Sequence, residues 1–141
     1  MDGGDFGTDT QSVTAAQQIE EITIVLKVLV IRGFETGKTD CLQNEKTKNG
    51  TYSAGQMIQK LLDQLPQGYF IVVTGHADKK GRDFVMPGTG VKYNDFLAQK
   101  RAESVAAYIV KNFNLTPDKL KAGGAGDRHD ERKVTFAVRK E

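Results

Sequence analysis

The stretch Tyr69-Phe70-Ile71-Val72-Val73-Thr74-Gly75-His76-Ala77-Asp78 decides how this chain is read. Residues 69–74 are all aromatic or β-branched, the composition of a buried strand. Gly75 follows and lets the backbone turn sharply. Asp78 comes just past the turn. In layered α/β architectures ligand crevices open beyond the carboxyl ends of strands, so this carboxylate stands where a ligand would be met.

Working outward from that strand, Ala54, Ile58, Leu61 and Leu65 recur at helical spacing. Ser53, with Gln56 three residues on, reads as a capping box opening that helix, and Pro66 and Gly68 stop it. The polar residues 35–50, with Gly37, Asn49 and Gly50, predict a long exposed loop. Residues 22–31 are dense in Ile, Val and Leu and predict a buried strand. Residues 1–18, rich in Gly, Asp, Thr and Gln, predict a flexible lead-in, which leaves 19–141 as one domain. Downstream, a loop covers 76–93. A second long helix then runs from about Asn94 to Phe113, with Ala98, Ala102, Val105 and Ile109 as its core stripe. Thr116-Pro117-Asp118 opens a short helix, which Gly123, Gly124 and Gly126 end. Val134, Phe136 and Val138 alternate with Thr135 and Ala137 in a final strand. The order β-α-β-α-(short α)-β implies an α+β domain, a sheet with helices packed on it.

The chain of 141 residues suits a single core. Its 20 basic and 18 acidic residues leave a net charge of +2, which gives no electrostatic case for nucleic acid or an anionic membrane. One cysteine, Cys41, excludes an internal disulfide and reads as a buried thiol. The apolar run at 22–31 contains Lys27 and is too short to cross a bilayer. It also lacks the flanks of a signal peptide, so an exported form would have lost its signal or be a piece of a longer chain.

On the second long helix, Asn94 and Arg101 lie seven residues apart, about two turns, on the same margin of the buried face. A guanidinium there can be half-desolvated and still reach a cleft. Beside Asp78 it makes a dipolar pocket whose complement is a zwitterion. Arg101 offers a bidentate fork to a carboxylate, and Asp78 accepts from an ammonium. No catalytic group is required. Ser53 and Ser104 have no acid or histidine at suggestive spacing. His76, Asp78, His129 and Asp130 form two separate pairs rather than a converging metal set. Gly37-Lys38-Thr39 lacks the upstream glycine of a phosphate loop. His76 reads as a structural histidine bonded to backbone. No cofactor, metal or catalysis is expected.

At these residues the chain resembles the OmpA C-terminal domain family, which includes peptidoglycan-associated lipoproteins and the flagellar stator protein MotB. The resemblance rests on Gly75-His76-Ala77-Asp78, Gly81, then Asn94-x-x-Leu97-Ala98-x-x-Arg101-Ala102-x-x-Val105. Gly124-x-Gly126-Asp127 and Glu131-Arg132-Lys133-Val134 complete it, over roughly residues 50–140. It implies a mixed sheet of about four strands with two long helices packed on one face. It also implies a non-enzymatic periplasmic module that binds peptidoglycan through meso-diaminopimelate or another diamino acid of the stem peptide. The ligand-binding set carried over is Asp78 and Arg101 as the grip, with Asn94, Ala77, Leu97 and Arg132 around them.

Three features depart from the family. Ala77 stands for the usual Thr, Glu131 for the usual Asn, and the loop between Asp78 and Asn94 is extended by residues 82–89. They open a second reading, in which Phe84, Val85 and Met86 fill or reshape the pocket and the domain binds a protein partner or a different wall peptide. An enzyme acting on wall glycan or peptide is a third reading, for which no close carboxylate pair stands out.

Overall fold

The expected central strand forms and extends two residues beyond Thr74: β2 covers Tyr69–His76. The computed structural model describes residues 3–79, 83–125 and 131–141, and only the backbone for 3–14. The other strands are β1 (Val30–Arg32), β3 (Leu120–Gly124) and β4 (Lys133–Lys140), in the sheet order β1-β4-β2-β3. β4 runs antiparallel to both β1 and β2, whereas β2 and β3 are parallel. The sheet is therefore mixed and four-stranded, as the resemblance implies. Three long helices accompany it: α1 (Gly3–Val28), α2 (Glu45–Leu62) and α3 (Tyr93–Asn112). A single 3-10 turn at Pro117–Lys119 stands where the short helix was expected.

Alternation along β2 builds the inner face. Ile71, Val73 and Gly75 point inward and lie opposite Val138, Phe136 and Val134 on β4. On the other side they meet Leu120, Ala122 and Gly124 of β3. Ile22 and Leu26 of α1, Ala54, Ile58 and Leu61 of α2, and Ala102, Val105 and Ile109 of α3 close over that face in one cluster. Each such large side chain contributes about 1.5–3 kcal/mol by leaving water.

Parallel strands need a crossover connection, and α3 supplies it between β2 and β3. It lies directly on their carboxyl ends. A Cβ at Gly75 would run into the carbonyl oxygen of Ala98, and one at Gly124 would come within 2.8 Å of Gln99 N. Two glycines thus seat the first half of α3 on the sheet backbone, which brings Arg101 down to the strand ends.

The amino-terminal third corrects the sequence reading. From Gly3 on, the backbone of the expected lead-in is helical, and residues 22–28, expected as strand, belong to α1. Only Val30–Arg32 pairs in the sheet. Helix α2 starts eight residues before Ser53. Its cap is Asn44, whose Oδ1 accepts from Thr47 N at 2.9 Å. The loop expected at 35–50 therefore ends at Asn44. Leu120–Gly124, expected as the end of a helix, is the parallel edge strand β3. Gly81, Arg82, Gly126, Asp127, His129 and Asp130 lie outside the described residues.

Candidate functional site

A cavity of about 150 Å³ opens at the carboxyl end of β2. It is lined by Ala77 and Asp78 from the turn after β2, by Asn94, Leu97 and Arg101 from α3, and by Arg132 just before β4. These are the six residues singled out in the sequence, and they come together in one place. Thr36, Gly37 and Tyr93 complete the wall. Phe84, Val85 and Met86, which the second reading has filling or reshaping the pocket, are not among its lining residues.

Arg101 is fully buried. Its Nε donates to Lys38 O at 2.9 Å, Nη1 to His76 O at 3.2 Å and Nη2 to Glu35 O at 3.4 Å. The Phe34 ring lies beneath it, 5.5 Å from Cζ. Three of the five guanidinium N–H groups are thus fixed by main-chain carbonyls, and two are left over among the described residues. Carbonyls do not neutralise the charge. Burial, and secondarily the nearby charge of Arg132, lowers the Arg101 pKa to about 10 against the opposing pull of Asp78 and Tyr93.

Arg132 is the second cation. Its Nη1 pairs with Asp78 Oδ2 at 2.8 Å, and its Nε donates to Phe34 O at 2.6 Å. The Asp78 side chain is only 11% exposed. The carboxylate expected to receive an ammonium is thus already met by a guanidinium, which a ligand must share or displace. The described charged residues lining the cavity are two cations and one anion. The charge left over is positive, which suits an anionic group in the cavity.

Asn94 sits in the first turn of α3 rather than at its cap. Lys92 is the cap residue and makes no side-chain cap bond. Asp83 does that work: its Oδ1 accepts from Asn94 N at 3.1 Å and from Phe84 N at 3.0 Å. A carboxylate at a helix amino terminus is also favoured by the helix dipole. Buried His76 pairs through Nε2 with Thr135 Oγ1 at 2.9 Å. Glu131, the departure from the family's asparagine, pairs with Arg32 Nε at 2.7 Å and Lys133 Nζ at 3.6 Å. Its charge is directed to β1 and β4, and the Arg32 hydrogen bond holds its carboxyl below the ordinary range.

Sequence reasoning missed the loop at 33–38. It supplies Thr36 and Gly37 to the cavity, and its carbonyls hold both arginines. The one local signal is glycine: Gly33 and Gly37 have φ of +96° and +72°, so this segment needs a defined turn. Among the described residues no group of three or more His, Cys, Asp or Glu could hold a metal. Among them, too, no helix is long and apolar enough to cross a membrane.

A family model described as the OmpA family matches residues 33–141. The periplasmic domain of Helicobacter pylori MotB aligns with a TM-score of 0.53 and 19% identity, over 73% of this chain and 65% of that one. The OmpA-like domain of FopA1 from Francisella tularensis aligns at 0.51 and 19%, over 79% and 71%. An outer membrane protein of Borrelia burgdorferi aligns at 0.52 and 16%, over 77% and 82%. These likenesses establish the shared fold. The chain thus spans just under two thirds of that MotB domain. No curated protein sequence matches the chain.

Proposed function

This chain belongs to the OmpA family, and from that premise we propose that it is a non-catalytic anchor. It binds peptidoglycan without covalent chemistry, by gripping the free amino-acid end of a diamino acid in the stem peptide. The ligand carboxylate takes the two remaining N–H groups of Arg101, and the ammonium shares the carboxylate of Asp78 with Arg132. Asn94, Leu97 and Ala77 line the space around them. Meso-diaminopimelate keeps a free ammonium and carboxylate on one carbon when it stands in the peptide, whereas in-chain ornithine offers only a side-chain ammonium to Asp78. The neighbours of this fold include periplasmic and outer-membrane proteins, and the periplasm is where the proposed ligand is found.

One observation carries this reading. A fully buried arginine lines a cavity that also holds an aspartate. A buried cation held only by carbonyls is an unusual expense for a fold, and a site for an anion explains it. The volume agrees. About 150 Å³ is below the roughly 300–1,000 Å³ of pockets that enclose a whole small molecule, so one end group is held.

Calorimetric titration with meso-diaminopimelate and ornithine stem peptides tests it. Binding should be measurable for at least one peptide. Asp78→Asn should weaken it by about 30-fold or more, the loss expected when one partner of a hydrogen-bonded charge pair is removed. Asp78→Asn protein that binds as tightly as the parent would refute the assignment. So would release of soluble fragments from purified sacculi, which would mark an enzyme.

A further inference from the structure

The hairpin before α3 extends the cavity wall into an apolar face. Tyr93 N donates to Phe84 O at 2.8 Å and Met86 N to Val91 O at 2.8 Å, with Val85 paired opposite Lys92. Side chains alternate across such a ribbon. Phe84, Met86, Val91 and Tyr93 therefore share one side, and Val85 and Lys92 take the other. Phe84 and Tyr93 stack accordingly, with ring centroids 5.0 Å apart and planes at 17°. Tyr93 is itself a wall of the cavity. Phe84 and Val91 remain 47% and 42% exposed. Asp83 ties the base of the ribbon to the amino terminus of α3.

Single exposed apolar residues need no explanation, but a group of them on a fixed ribbon adjoining a ligand cavity does. The cavity holds one end of the proposed ligand, and the remainder must leave past its rim. Tyr93 forms part of that rim and begins the apolar face. We infer that the Phe84–Val91 side of the hairpin is a second subsite, which takes the apolar flank of the stem peptide as it emerges from the cavity. This rests on the anchor reading and deepens it: the extended loop adds contact instead of closing the pocket.

The test compares two ligands on four proteins by calorimetry: free diaminopimelate and a stem peptide containing it, on the parent, Phe84→Ser, Val91→Ser and Val85→Ser. The parent should bind the peptide more tightly than the free amino acid. Phe84→Ser and Val91→Ser should each weaken peptide binding about tenfold, the effect of exposing part of one large apolar side chain. Both should leave the free amino acid within about twofold, the range of a neutral surface change. Val85→Ser, on the opposite side, should change neither.

Equal losses for both ligands would overturn the subsite and make the hairpin a mere support of the cavity. Unchanged peptide binding by Phe84→Ser and Val91→Ser would also overturn it. So would a parent dimer in sedimentation that Phe84→Ser abolishes, because the face would then belong to a second copy of the chain. If the parent binds neither ligand, the anchor reading itself has failed. If it binds free diaminopimelate and only the peptide preference is missing, the subsite alone falls.

Discussion

Replacing Arg101 by methionine separates the binding role of that residue from its structural one. The Arg101 side chain has no exposed surface, and burial, with the charge of Arg132 nearby, lowers its pKa from the ordinary arginine value to about 10. At about 1.4 kcal/mol per tenfold change in proton affinity, holding the charge there costs at most about 3 kcal/mol. The adjoining cavity admits water, which makes this an upper bound. Against it stand three hydrogen bonds to carbonyls, worth about 1 kcal/mol each net. Methionine keeps most of the packed aliphatic stem and removes the buried charge, but leaves three carbonyls without their donor. Arg101→Met should therefore be destabilised in urea, and by less than Arg101→Ala. Arg101→Ala, which also empties the space of the stem, should lose about 2–5 kcal/mol. Calorimetry should find no binding of the diamino acid by Arg101→Met, and the ligand should raise the melting temperature of the parent only. Undiminished binding by Arg101→Met would refute the reasoning. So would a loss of stability as large as that of Arg101→Ala, because the charge would then serve the fold.

Other outcomes follow from the packing. Gly75→Ala would press a methyl group into the Ala98 carbonyl and should cost about 3 kcal/mol or more in denaturant unfolding. Gly68→Ala meets no neighbouring atom but sits at φ +88°, so its cost should be about 1–2 kcal/mol. Asn44→Ala removes the cap of α2 and should cost about 1 kcal/mol, read as a lower urea midpoint at unchanged slope. Cys41 is buried, and burial raises its thiol pKa. A maleimide at pH 8 should leave it unlabelled in the native protein and label it fully in urea, and rapid native labelling would contradict that.

What the sequence revealed followed from how each residue's role is encoded. β2 and α3 were readable because burial by itself sets their composition and periodicity, and the site residues are tied to them at fixed offsets. The amino-terminal run misled because β-branched density was weighed above spacing. Ile22, Val25, Leu26 and Leu29 lie at helical intervals and are buried or partly buried, whereas Ile24 and Val28 are 65% and 77% exposed. Helix α2 hid its first half because its inner face there is polar in name only. Thr47 and Thr51 are fully buried, and Thr51 Oγ1 donates a hydrogen bond to Thr47 O at 2.7 Å. Gly50 reads as a turn residue, yet it lies in the helix and faces Ile31, and Gly55 there makes room for the Phe113 ring. β3 was missed because Gly123 and Gly124 punctuate the sequence, although Gly124 is the seat of α3. The loop at 33–38 could not be assigned to the site, because it works through carbonyl oxygens that every residue carries.

Helix α1, about 39 Å long at 1.5 Å per residue, is joined to β1 through Leu29 alone. β1 is held to β4 by three residue pairs and the Arg32–Glu131 bridge. Immediately after it come the carbonyls of Phe34, Glu35 and Lys38, which grip Arg132 and Arg101. A pull along α1 is therefore borne first by Ile22 and Leu26 in the core, and then by this short strand, whose own Ile31 is buried in the same cluster. Displacing β1 would disturb the arginines and the core together, so cavity and fold are mechanically linked at this strand.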